Sequence, residues 1–252
     1  MRPSKKQIRG KLSLFVRQRN KKYSKLDGDK IPRENIPKVF RTIGRQSQVI
    51  GLYSLSIEEC EDSKVEFTTS VLWYRDALEK LRGRRNSAWE SESNNALDVL
   101  YSALLSDDEK LVSEAAKSAL EVPDEYVDRF PTTYRYYYLK AFATAILETD
   151  DQQYYLDELE KTLGHLDSPK KAFFEPLWIA LSGLTHRDTE AFLTGIEQFL
   201  AWHHSQVDFE NKTSAKDLVC RQATALIVLA RQKGMDVRVE SEYIPECIYE
   251  LT

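Results

Sequence analysis

The chain has 252 residues, of which 42% are hydrophobic and 30% charged, a composition typical of a globular protein with a buried core. Its 9 glycines and 8 prolines are too few for the many turns of a β-sandwich or barrel, so the composition favours helices. No apolar run approaches the roughly 20 residues that a membrane span needs, and the apolar segment at residues 12–16 is too short for a signal peptide. We therefore expect a soluble cytoplasmic protein with no membrane partner.

The net charge of −4 hides a strong asymmetry along the chain. Residues 1–50 hold 15 Lys or Arg against 3 Asp or Glu, a net of +12. Residues 51–252 hold 21 against 37, a net of −16. A basic N-terminal portion and an acidic body can neutralise each other by packing together, and the acidic body predicts a cationic partner.

The first 26 residues predict a basic helix with one apolar stripe. Ile8, Leu12, Phe15 and Val16 follow helical spacing among ten Lys or Arg residues. Such a helix can pack on the acidic body or bind nucleic acid phosphates, and we favour packing because the stripe is apolar.

Two further helices are predicted at about residues 37–55 and 63–81, followed by a basic, polar break at residues 82–87. The break divides the chain into a basic N-terminal helical portion, residues 1–85, and a body, residues 86–252. We expect the first to pack on the second within one compact domain.

The body is punctuated like a series of helical hairpins. Three similar junctions end in the turns 106–108, 148–151 and 186–188, each joining a small-apolar helix end to an acidic helix start. Ser106 and Glu109 have the spacing of a capping box, and Gly164 and Gly234 are predicted to end helices, Gly164 in the left-handed conformation. The predicted fold class is therefore all-α: antiparallel hairpins stacked in an irregular repeat-like array, with at most one short β segment near residues 237–239.

The three cysteines, Cys60, Cys220 and Cys247, are odd in number and far apart. This spacing does not predict a disulfide framework and is compatible with a reducing cytosol. We interpret them as small buried side chains.

No motif in the chain predicts catalysis. The adjacent histidines His203 and His204 would point about 100° apart on a helix and could not share a metal, and the zinc, calcium, nucleophile and phosphate-loop motifs are absent. The carboxylate pairs lie in turn-like surroundings that suit helix capping. We predict no catalytic residue, no metal ligand, no cofactor and no enzymatic activity.

Tyrosines are concentrated at residues 134–138 and 154–155. Three consecutive tyrosines on a helix cover about 200°, so at least one should face away from the core, where tyrosine suits an interface. The alternative is that the rings are wedged between packed helices.

From residue 71 onward the chain resembles a family of bacterial immunity proteins from polymorphic toxin systems, the one numbered forty-nine. The resemblance lies in the Tyr-rich helix at residues 134–151, the hairpin at 176–203 and the final helix and tail at 225–248. It implies an all-α cytoplasmic protein that binds and neutralises the catalytic domain of a cognate toxin without catalysis of its own.

The first hypothesis is thus an immunity protein that occludes a toxin. On charge grounds we expect this toxin to be cationic, with a nuclease as the leading candidate. The alternative is a helical-repeat adaptor that binds host proteins, or nucleic acid through its basic N-terminus. For partner binding we selected turn acids that would attract a cation and tyrosines that would supply contact energy: Asp107, Asp108, Asp150 and Asp151, with Tyr136 and Tyr138.

Overall fold

A computed structural model describes residues 3–26, 31–81, 89–124, 133–207 and 214–250. These residues form eleven α-helices and two short 3-10 helices, Arg33–Asn35 and Glu246–Glu250, and contain no strand, which confirms the all-α prediction. The basic break at residues 82–87 lies outside the described residues. In chain order the helices are α1 Lys5–Leu26, α2 Ile36–Ser56, α3 Cys60–Leu81, α4 Trp89–Ser106, α5 Glu109–Leu120, α6 Thr133–Leu147, α7 Gln152–Leu163, α8 Ser168–His186, α9 Thr189–Gln206, α10 Ala215–Leu218 and α11 Arg221–Gln232.

Eight of these helices form four consecutive hairpins: α2 with α3, α4 with α5, α6 with α7, and α8 with α9. Each hairpin packs on the next through its second helix, and the first helices α4, α6 and α8 also contact one another in order. The predicted stacking of antiparallel hairpins is therefore confirmed. No helix in the described part of the chain is long and apolar enough to cross a bilayer.

The same backbone conformation ends the first helix of every hairpin. Glu58, Asp107, Glu148 and Arg187 have φ values of 65°, 58°, 53° and 54°, in the left-handed region where the chain reverses. Three of these turns were predicted from sequence, and the α2–α3 turn is a fourth copy. Gly234 also has a positive φ, of 79°, whereas Gly164 has a φ of −59°, so its predicted left-handed conformation was wrong.

Helix α11 is enclosed by the hairpins. Every residue from 223 to 230 is buried, and the helix contacts α4, α8 and α9. Both ends are tied to the hairpins: the Arg221 guanidinium lies 2.7 Å from Asp98 on α4, and Lys233 donates to the Ile146 carbonyl at 2.9 Å. All but one of residues 223–230 are apolar, and a segment that is apolar on all sides belongs inside a core.

Helix α1 packs on α2. Ile8 is buried, and Leu12 and Phe15 pack against the core. Arg9 pairs with Glu59 at 2.7 Å, and Arg19 pairs with Glu66. The apolar stripe of this helix is therefore used for intramolecular packing.

The structure contradicts the expectation that the cysteines stay unpaired. Cys60 and Cys247 form a disulfide with their Cα atoms 6.2 Å apart, across 187 residues of sequence. They meet because the C-terminal 3-10 helix lies against the α2–α3 turn, where the Glu58 carboxylate accepts the backbone N–H of Cys247 at 2.9 Å. Sequence spacing could not reveal this proximity. Only Cys220 is a free buried thiol among the described residues, and burial raises its pKa to about 12.

Candidate partner-binding surface

The two turn acids of the second hairpin, Asp107 and Asp108, make structural contacts within the chain. The Asp107 carboxylate lies 3.0 Å from the Lys64 ammonium on α3, so it joins two neighbouring hairpins. Asp108 is the N-cap of α5 and accepts the backbone N–H of Leu111 at 3.0 Å. The predicted capping box was therefore misplaced by two residues, and the Ser106 hydroxyl instead donates to the Ala103 carbonyl. Both carboxylates already have structural partners.

Glu148, at the turn of the third hairpin, is engaged in the same way. Its carboxylate lies 3.5 Å from the Arg187 guanidinium and 3.2 Å from the Lys233 ammonium. This cluster joins the ends of α6, α8 and α11. Like Glu58, which receives the C-terminal 3-10 helix, the left-handed turn residue links separate parts of the chain.

The two tyrosines selected as contact residues are buried, so the expectation that they are exposed was wrong. Tyr138 is fully buried, and its hydroxyl shares a 2.8 Å hydrogen bond with that of Tyr101. Tyr136 is also buried and donates its hydroxyl to the Asp124 carboxylate. Alternate residues of α6 point inward because this helix is packed on several sides, by α4, α5, α7 and α8. The wedged-ring alternative holds for these two residues.

Asp150 and Asp151 differ from the other selected acids. Both are exposed, and neither forms an ion pair or a side-chain hydrogen bond with any part of the chain that the structure describes. They immediately precede α7, so two uncompensated negative charges lie beside its N-terminus. Acidic side chains at this end of a helix are favourable, so the charges persist without a partner.

Three tyrosines next to these aspartates reach the surface. The Tyr154 side chain is 56% exposed, and its ring meets that of Tyr155 edge to face, with centroids 5.2 Å apart. Tyr155 and Tyr137 are half-buried. Burial, followed by the nearby carboxylates of Asp124 and Asp151, raises the pKa of Tyr155, which places its phenol among negative charges.

The charge around these rings is strongly negative. Residues 150–160 contain five Asp or Glu and no Lys or Arg. Two of the five are engaged locally: Glu158 with the Lys161 ammonium at 2.5 Å, and Asp157 with the Gln153 amide at 2.7 Å. We call this region the Tyr154 surface and define it by its exposed or half-buried members, Tyr137, Asp150, Asp151, Tyr154, Tyr155 and Asp157.

Sequence reasoning had noted Tyr154 and Tyr155 only as neighbours of the longer tyrosine run. The signal that could have selected them is their spacing from the acidic turn. Tyr154 and Tyr155 follow Asp151 by three and four residues, so on a helix both rings lie on the same side as that carboxylate.

In the described residues no three His, Cys, Asp or Glu side chains are grouped so as to hold a metal ion.

The sequence profile of the family described as immunity protein 49 matches residues 90–248. The chain belongs to the immunity protein 49 family. No curated protein and no solved structure gives a significant match. The immunity protein 49 region covers helices α4 to α11, and so it contains the whole Tyr154 surface. Helices α1 to α3, including Cys60, lie before it.

Proposed function

We propose that this protein binds the catalytic domain of a cognate toxin and neutralises it by occlusion, in the cytoplasm of the cell that makes it. The observation that carries the proposal is the family match over residues 90–248. The Tyr154 surface supports it, because exposed aromatic rings with uncompensated charges are suited to protein binding. Neutralisation by this route needs neither a cofactor nor catalysis by the immunity protein.

The charge of the body favours a cationic toxin. Residues 51–252 carry a net charge of −16, and the exposed Asp150 and Asp151 add a local field at one surface. A nuclease has to attract phosphate and is therefore cationic around its active site. An acidic protein that covers such a site competes directly with the nucleic acid substrate, so we propose a nuclease domain as the target.

The test is co-expression in a sensitive cell with a candidate toxin domain, sought among the genes adjacent to the one that encodes this protein. We expect cells that make both proteins to survive and cells that make the toxin alone to die. In vitro, a catalytically inactive toxin domain should form a stoichiometric complex with the purified protein on size-exclusion chromatography. Cell death despite folded, abundant protein, together with separate elution of the two chains, would refute the proposal and favour the adaptor hypothesis.

A further inference from the structure

We infer that the Tyr154 surface receives an arginine side chain of the toxin domain, stacked on the exposed tyrosine and paired with Asp150 or Asp151. This inference rests on the proposed function, and it specifies the chemistry of the contact. It follows from three observations: ring exposure, uncompensated charge and a similar arrangement on the buried side of the same tyrosine cluster.

The buried side of the cluster already holds a cation. The Lys140 ammonium lies 5.1 Å from the centroid of the Tyr136 ring, 3.9 Å from the Asp124 carboxylate, and donates to the Leu120 carbonyl at 2.5 Å. Tyr136 packs edge to face on Tyr137, whose ring is half-buried. The buried Tyr136 ring and the buried Lys140 ammonium therefore share one carboxylate, that of the exposed Asp124.

The outer side has the exposed ring and the carboxylates, and the Lys161 ammonium that acts electrostatically on Tyr154 is already paired with Glu158 at 2.5 Å. Among the described residues no Lys or Arg lies over Tyr154 or Tyr155, and Asp150 and Asp151 have no ionic partner. A cation over an aromatic face is attracted by the ring quadrupole, and the attraction grows when a partner excludes water. Arginine suits the site better than lysine because its planar guanidinium can stack on a ring and donate to a carboxylate at once.

Other exposed apolar side chains are less suited to this role. Val65 and Leu72 on α3 are 64% and 38% exposed, but they lie outside residues 90–248. The charged side chains beside them are paired already, Lys64 with Asp107 and Arg75 with Glu114. The Tyr154 surface is where exposed rings and free carboxylates coincide within the family region.

The experiment measures binding of the inactive toxin domain to full-length variants by surface plasmon resonance at low and high salt. Tyr154→Ala should weaken binding about tenfold, mainly through faster dissociation, while Tyr154→Phe keeps the ring and should stay within about twofold of wild type. The double variant Asp150→Asn, Asp151→Asn should slow association about three- to tenfold at low salt, and the difference should shrink at high salt. Circular dichroism and melting curves establish that each variant is folded.

The matched control is Glu190→Gln with Glu197→Gln, which removes the same charge from two exposed acids of the fourth hairpin. It should change the association rate less than twofold. If wild type binds the toxin while Tyr154→Ala binds as tightly as Tyr154→Phe, or the control slows association as much as the Asp150 and Asp151 variant, the inference is wrong and the proposed function stands. If wild type does not bind the toxin at all, the inference and the proposed function both fail.

Discussion

Tyr138 and Tyr154 illustrate how the surroundings of a residue decide its role. Tyr138 has no exposed surface and shares a hydrogen bond with Tyr101, whereas Tyr154 is 56% exposed and contacts Tyr155. The first ring contributes to stability through packing and one buried hydrogen bond. The second can exchange water for a partner, which is the property that binding requires.

Tyr138→Phe should destabilise the protein without changing toxin binding. The substitution leaves the buried Tyr101 hydroxyl without its partner, which costs about 1–3 kcal/mol in the free energy of unfolding. Chemical denaturation measures this difference, and Tyr154→Phe is the matched control, expected to change stability by less than about 0.5 kcal/mol. Equal unfolding midpoints for the two variants would show that the buried hydrogen bond contributes nothing.

At this scale the sequence predicts residue types better than it predicts their partners. Acidic turns were expected at residues 107–108 and 150–151, and the turns exist. Which carboxylates are free depends on contacts with residues far away in sequence, such as Lys64 for Asp107. The same limit explains the choice of the buried Tyr136 and Tyr138 instead of Tyr154. The residue pattern of α6 alone does not reveal how many neighbouring helices cover it.

Among the elements, α8 and α9 approach each other closely enough for backbone atoms to meet. A Cβ atom at Gly195 would lie 2.4 Å from the Ala180 backbone nitrogen and 2.6 Å from the Pro176 carbonyl oxygen. At Gly183 a Cβ atom would lie 2.4 Å from the Phe192 nitrogen. The absence of side chains at these two positions lets the backbones of the hairpin meet, which places Phe192 and Ile196 in the core.

Gly195→Ala should therefore destabilise the protein, although alanine is the better helix former. The expected loss is about 1–3 kcal/mol or more, because backbone atoms must move apart. Gly10→Ala on α1 is the control: nothing lies within 4 Å of its Cβ position, so propensity alone should stabilise the protein by up to about 1 kcal/mol. Thermal unfolding of both variants tests the pair, and a Gly195→Ala protein as stable as wild type would contradict the close packing.

Removal of residues 1–26 should lower the melting temperature and increase dye binding to apolar surface. Helix α1 covers part of the core through Ile8, and the Phe15 ring lies 5.8 Å from that of Tyr53. A charge control, Arg17→Gln with Lys21→Gln, changes two exposed side chains and should leave the melting temperature within a few degrees.

The same truncation tests nucleic acid binding. We expect weak binding of DNA and RNA by the intact protein, measured by fluorescence anisotropy at low salt. Tight, salt-sensitive binding that disappears with residues 1–26 would support the adaptor hypothesis instead.

Over the whole molecule one connected core extends from Ile8 to Ile248. The disulfide between Cys60 and Cys247 joins α3, which precedes the family region, to the 3-10 helix at the other end of that region. Periodicity and the family resemblance predicted the helices and their pairing. They could not predict that the C-terminal 3-10 helix returns to the α2–α3 turn, because this contact depends on the accumulated geometry of all four hairpins.

Cys60→Ser should lower the free energy of unfolding by about 2–5 kcal/mol relative to the oxidised protein, because the cross-link restricts the unfolded chain. A reducing agent should lower the stability of wild type by a similar amount and leave the variant unchanged. Thiol counting before and after reduction measures the bond directly. Three free thiols in protein purified under oxidising conditions would show that the pair does not form.

The enclosed position of α11 also determines the order in which the fold can be completed. A ribosome produces all four hairpins before residues 221–232, so α4, α8 and α9 lack this neighbour until those residues have been made. A messenger cut short before this point would encode hairpins with uncovered apolar faces, which proteases and chaperones recognise. We therefore expect chains that lack residues 221–232 to be degraded instead of accumulating.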